Sequence, residues 1–262
     1  MWPEVYRQAL RDARRGWLVW SASLLAYTLL VLAFYPSIRN DPAVNELMRN
    51  LPEALRQLVG QDLTSPAGYV GGRLLSLMPA LLSVYAALTG AALLAGAEER
   101  GWLELPLAQP VTRRDLLLGT GAALLTLVLG LGAVLFVAVW GLGAVFQAPL
   151  PAELVLQTAA LHTLGAWVFG ALALAVGAAT GRAGPAAAAG AGLGVALLVA
   201  HTLSSQVPAL RDLAHLNPWT LPLGGQTLRE AVSLRALPAE VAVGAALLLL
   251  AWPLLERRDL GQ

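Results

Sequence analysis

Two clusters of charge stand between long apolar runs in a chain of 262 residues: Glu98, Glu99, Arg100 and Glu104, then Arg113, Arg114 and Asp115. Between them lie Trp102, Leu103, Leu105 and Leu107. Side chains of these types at this spacing serve recognition. A short segment that is apolar on one side and flanked by charge suits a partner's groove or a membrane surface. Pro110 stops any helix here, because it lacks an amide hydrogen and restricts Gln109 before it to extended conformations. Thr112-Arg113-Arg114-Asp115 has the spacing of a capping box, with Asp in place of Glu or Gln, so a new helix is expected just after Thr112. On physical grounds alone, a polar turn joining two membrane helices explains the same residues equally well.

Groups able to carry catalysis or ion coupling are few. The chain has no Cys, so it has no disulfide, thiol nucleophile or thiolate metal site. It has no Lys, so it carries no standard phosphate-binding loop and any ATP must be hydrolysed by another polypeptide. No His-Glu-x-x-His or Gly-x-Ser-x-Gly motif occurs. Within the apolar runs the titratable candidates are His162, His201 and, near the start of the last run, Glu240. Ion-coupled carriers usually hold a carboxylate at membrane depth. The two histidines are expected to hydrogen-bond to neighbouring helices.

The elements that position these residues follow from hydropathy. Apolar residues make up 57% of the chain and charged residues 13%, with a mean hydropathy of +0.65, against about 25% charged in an ordinary soluble domain. This composition identifies an all-α integral membrane protein, a single transmembrane domain over 1–262 with six spans of 20 to 25 residues. Residues 1–16 place Trp2, Val5, Tyr6, Ala9, Leu10 and Ala13 on one face and Arg7, Arg11, Arg14 and Arg15 elsewhere, as in an interfacial amphipathic helix. The first span is expected over 17–36, closed by Pro36. An outer loop with short helices follows over 37–73, begun by Asp41-Pro42 and ended by turn residues at 65–72. The second span covers 74–97, kinked at Pro79.

Beyond the charged segment, 98–115, spans are expected over 116–146, 154–181 and 186–203. Gly190 and Gly194, in small-xxx-small spacing, are expected to mark close helix packing, within the subunit in preference to a dimer contact or a path wall. Residues 204–238 form an apolar but Pro- and Gly-interrupted outer segment, read as re-entrant or interfacial. The last span, 239–255, precedes a tail, 256–262. Ten arginines fall in the segments that share a side with the termini and seven in the longer segments opposite, which favours cytoplasmic N- and C-termini.

The run E-E-R-G-W-L-E-L-P-L-A-Q-P-V-T-R-R-D-L-L-L-G resembles the first cytoplasmic loop of permeases of the type-2 ATP-binding-cassette (ABC) exporters. That pattern has acidic residues, then Gly-Thr-Leu-Glu, leucines, Ala-x-Pro-Val-Ser-Arg and an apolar helix. Glu98, Glu99, Gly101, Leu103, Glu104, Leu107, Ala108, Pro110, Val111 and Arg113 match it in register, with Thr112 in place of Ser. Trp102 replaces the usual Thr, and Pro106 falls where the family has an apolar residue, so a helix here either breaks at Pro106 or starts beside it. The amphipathic start and the Arg-Arg-Asp tail are similar to the family too.

The resemblance implies a permease subunit in the cell membrane, one of a pair, driven by separate cytosolic ATPase subunits that hold ATP and Mg. It implies a coupling helix in the loop. The ATPase-coupling residues expected from it are Glu98, Glu99, Arg100, Gly101, Leu103, Glu104, Leu105, Leu107, Pro110 and Arg113. It implies no catalytic residue, metal site or cofactor on this chain, and no nucleic-acid partner. The readings left beside it are an ion-coupled secondary transporter or channel and, less favoured, a membrane-embedded enzyme.

Overall fold

The computed structural model describes residues 2–43, 46, 50, 63–101, 112–204, 207–212, 214–223, 228–230 and 236–258. Among them there is no strand, and six helices are long and apolar enough to cross a membrane. The protein is an all-α integral membrane protein.

The first helix, α1 (Trp2–Asn40), is one unbroken rod of 39 residues, about 58 Å at 1.5 Å per residue. A separate surface helix over 1–16 followed by a span over 17–36 is therefore not what forms. Gly16 is the only breaker between the two halves, and one glycine costs about 1 kcal/mol against Ala, too little to interrupt a packed helix. The amphipathic half lies along the fourth helix: Ala9 is buried, and Val5 and the Trp2 backbone sit against Gly119. Pro36 likewise stays inside α1.

The second helix, α2 (Pro66–Leu93), starts eight residues before the expected position. Ser65 is its N-cap, accepting from the Gly68 amide at 3.2 Å, and Pro66 occupies the first turn, where a missing amide hydrogen costs nothing. The glycine pair expected to turn the chain, Gly71-Gly72, instead lies in a π-helical stretch, Val70–Leu74, followed by a 3-10 turn, Leu75–Leu77. Pro79 then sits in the first turn of the regular helix Met78–Leu93. Tyr27 donates to the Arg73 carbonyl at 2.9 Å, Tyr69 to that of Val31 at 2.8 Å and Tyr35 to that of Thr64 at 2.9 Å, so α1 and α2 are antiparallel neighbours.

After a break at Leu94 comes the short α3 (Ala95–Glu99), and then α4 (Arg113–Val145), α5 (Ala152–Thr180) and α6 (Ala183–Leu203). A one-turn helix α7 (Pro208–Asp212) and a 3-10 turn (Ala214–Leu216) precede α8 (Ala236–Glu256). α5 is the central helix: α2, α4, α6 and α8 all pack on it, and α1 packs on the far side of α4. The close approaches rest on glycine. A Cβ on Gly190 would lie 2.5 Å from the Phe169 carbonyl oxygen, and Gly194 sits against Ser83 and Phe169. Both glycines thus serve packing inside this subunit.

Between α6 and α8, Asn217-Pro218-Trp219 turns back into the bundle. Trp219 is fully buried, stacked on Phe169 at 5.3 Å, and donates its indole N–H to the Gly194 carbonyl at 3.0 Å. Asn217 Nδ2 donates to the Leu197 carbonyl at 2.7 Å.

Candidate functional site

Four stretches remote in sequence meet at the arginine-rich end of the bundle, and each meeting satisfies helix-end groups that have no partner within their own helix. Glu98 and Glu99 leave the membrane on α3. Gly101 follows in the left-handed region (φ +70°), its amide bonded to the Glu98 carbonyl at 2.9 Å. Only glycine adopts that conformation without strain, so it terminates α3.

Glu98 Oε1 pairs with Arg258 Nη2 in the tail. Arg258 Nη1 also donates to the Ala178 carbonyl at 2.9 Å and that of Gly177 at 3.4 Å, in the last turn of α5. A cation there faces the negative end of the helix dipole. Gly181, at φ +66°, ends α5 under the same guanidinium, which occupies the space a Cβ would need. Glu98 Oε2 is buried without a hydrogen-bond partner. Glu99 Oε1 accepts from the Ala183 amide at 2.8 Å and so caps the start of α6 from another helix.

Beyond the loop, Thr112 and Asp115 form the expected capping box. The Asp115 amide donates to Thr112 Oγ1 at 3.1 Å, and Asp115 Oδ2 accepts from the Thr112 amide at 3.4 Å. Asp115 Oδ1 accepts from the Trp2 amide at 3.1 Å, which fastens the start of α1 to the start of α4. Arg113 Nη1 donates to the carbonyls of Leu255, at 2.9 Å, and Glu256, capping α8. Arg114 stacks on Trp252, 5.1 Å from the ring centroid.

Of the residues expected to couple to a partner, Glu98, Glu99, Arg100, Gly101 and Arg113 therefore stand together at one end. Glu98, Glu99 and Arg113 are engaged within the chain rather than turned outward. Leu103, Glu104, Leu105, Leu107 and Pro110 lie outside the described residues, as does the expected coupling helix. Arg258 is the residue that sequence reasoning missed. Its signal was a charge at the end of the last span, on the side where topology also puts Glu98.

Inside the membrane, His162 is fully buried. Its Nδ1 lies 2.8 Å from the Thr158 carbonyl oxygen of its own helix and its Nε2 3.2 Å from that of Leu75 on α2, and the tautomer decides which of the two carbonyls accepts the single N–H of the neutral ring. Glu240 is 7% exposed, one helical turn before Gly244, the residue against which Trp167 packs. Among the described residues no three His, Asp or Glu side chains stand close enough to hold a metal ion.

No curated protein matches the sequence. The family model described as "ABC-2 family transporter protein" matches residues 4–251, nearly the whole chain and all six long helices. A membrane bundle whose arginine-rich end is gathered around one short charged segment is thus matched over nearly its full length by this family model: the chain belongs to the ABC-2 transporter family, as a permease.

Proposed function

We propose that the chain is the membrane-spanning permease subunit of an ATP-driven exporter, in which a separate cytosolic ATPase holds ATP and Mg and drives this chain mechanically. The termini and segment 98–115 face the cytoplasm across the cell membrane, and a second permease, identical or related, completes the path. Leu103, Leu105 and Leu107 fill a groove on the ATPase, Glu104 pairs with a basic group there, and Pro110 ends the docking helix. Gly101 terminates α3 where the docking segment begins, and Arg100 flanks it.

The observation that carries this reading is the way the segment's two ends are tied. Glu98 reaches α5 and the tail through Arg258, Glu99 reaches the start of α6, and Arg113 reaches the end of α8. A push delivered between Gly101 and Thr112 is therefore applied to α2, α4, α5, α6 and α8 together. Packed elements of this kind transmit small shifts because they do not deform continuously.

The test is recovery of a stoichiometric ATPase with the tagged chain from its native membrane in mild detergent. Glu104→Arg should abolish recovery, whereas Glu98→Gln should keep the ATPase bound and weaken coupling. A chain that comes out alone with nucleotide present sinks the reading.

A further inference from the structure

A cavity of about 260 Å³ lies where α6 finishes, at the end of the bundle away from the arginine-rich one, walled by Leu197, Ala200 and His201 of α6, Leu210 of α7 and Leu216 of the 3-10 turn. An apolar cavity of about 150 Å³ holds benzene, so this one has room for a substituted ring or a chain of similar bulk. Three further polar side chains line it, and each is committed to the fold. Ser204 Oγ donates to the His201 carbonyl at 2.7 Å, Thr220 Oγ1 donates to that of Ala214 at 2.7 Å, and Asn217 bonds both the Leu197 carbonyl and the Trp219 amide. The His201 side chain differs: its Nδ1 is buried with no hydrogen-bond partner. Leaving a buried nitrogen unpaired is unfavourable, and a bound group that shares a hydrogen with the ring removes that cost.

We propose that this cavity binds a small uncharged amphiphile, an apolar body of about one substituted ring carrying a single hydroxyl, with the hydroxyl hydrogen-bonded to the His201 imidazole. Three features select it. The leucine and alanine walls reward an apolar body, which leaves its own hydration behind on entering. Among the described residues no charged side chain lines the cavity, so an ion would lose its water without meeting a counter-charge. A hydroxyl both donates and accepts, so it answers the imidazole in either tautomer, whereas a plain hydrocarbon leaves the ring as it was. The site uses neither segment 98–115 nor an ATPase, so it stands or falls independently of the proposed coupling.

The experiment adds three probes of matched shape to the purified full chain in nonionic detergent: para-trifluoromethyl phenol, toluene and benzoate. Fluorine NMR reads their binding below neutral pH, where the phenol is uncharged and the benzoate ionised, with the signal from empty micelles subtracted. Saturable binding of the phenol is expected, about three- to tenfold tighter than that of the toluene, the worth of one hydrogen bond, and no saturable binding of the benzoate. His201→Phe keeps the bulk of the ring and should bring the phenol down to the level of the toluene. Because Nδ1 has no partner to lose, the melting temperature should not fall. Ala200→Leu fills the cavity and should abolish saturable binding of both, and it serves as the reporter if the phenylalanine variant does not fold. A phenol that never saturates, a benzoate that binds as tightly as the phenol, a phenol preference that survives His201→Phe, or binding unaltered in Ala200→Leu overturns the proposal.

Discussion

His162 Nε2 lies 3.2 Å from the Leu75 carbonyl oxygen, the acceptor that Pro79, four residues on, leaves without its α-helical amide. The Met78 amide reaches the same oxygen in a 3-10 turn, and the imidazole from α5 is its second neighbour. The irregular start of α2 is thus fastened to the central helix at the point where its own hydrogen-bond ladder fails. Ser76, donating to the Gly72 carbonyl at 2.7 Å, and Tyr27, donating to that of Arg73, serve the rest of the irregular stretch.

His162→Leu should therefore lower stability by about 0.5–1.5 kcal/mol, the range for one lost hydrogen bond, because the Met78 amide still reaches the Leu75 oxygen. Pro79→Ala returns an amide to position 79. The loss from His162→Leu should then be smaller in the Pro79→Ala background than in the native one. Thermal unfolding of the four proteins in detergent gives the coupling energy, and additivity within about 0.5 kcal/mol would refute the link.

Arg258 bonds a carboxylate and two carbonyls at once, so Arg258→Ala leaves Glu98 and the end of α5 short of partners together. Both side chains of the pair are partly exposed, 23% for Arg258 and 15% for Glu98, so the loss should fall below that of a fully buried pair, at about 1–3 kcal/mol. The exchange Glu98→Arg with Arg258→Glu should recover only part of it, because a glutamate cannot donate to the Ala178 carbonyl. Full recovery in thermal unfolding would show that the contacts to α5 contribute nothing.

How far the sequence discloses this structure depends on the range of each interaction. The Thr112–Asp115 box is legible because its partners are three residues apart and the side chains dictate the geometry. The six long helices are legible because hydropathy acts over a whole window. The continuity of α1 is not, since the choice between a surface helix and a packed one depends on what α4 offers to Val5 and Ala9. The π turn at Val70–Leu74 is equally hidden: Gly71-Gly72 before Pro79 reads as a turn until Tyr27 and Ser76 are seen to donate to its carbonyls. At the candidate site, the charges of Glu98 and Arg258 are visible but not their pairing across 160 positions.

Two glycines on α6 make a controlled comparison. Gly190 faces the Phe169 carbonyl, with Ala87 Cβ 2.8 Å from the position of its own would-be Cβ, whereas a Cβ on Gly192 meets nothing within 4 Å. Gly190→Ala should destabilise by about 1–3 kcal/mol through overpacking. Gly192→Ala should stabilise by up to about 1 kcal/mol through helix propensity. Opposite shifts in melting temperature are the expected reading, and a harmless Gly190→Ala would mean that α6 does not pack this closely on α5.

Trp219 separates packing from hydrogen bonding in the segment between α6 and α8. Trp219→Phe keeps the stack on Phe169 and most of the buried area but removes the donor to the Gly194 carbonyl, a loss of about 0.5–1.5 kcal/mol. Trp219→Ala also opens a cavity against Gly165 and should cost about 3–5 kcal/mol. Because Trp219 and Asn217 are what draw this stretch into the bundle, the alanine variant should release it. Arg211 and Arg229 should then become sites of rapid tryptic cleavage in the detergent-solubilised protein, while Trp219→Phe stays resistant. Cleavage at the same rate in both variants would mean that the hydrogen bond, and not the buried ring, holds the segment in place.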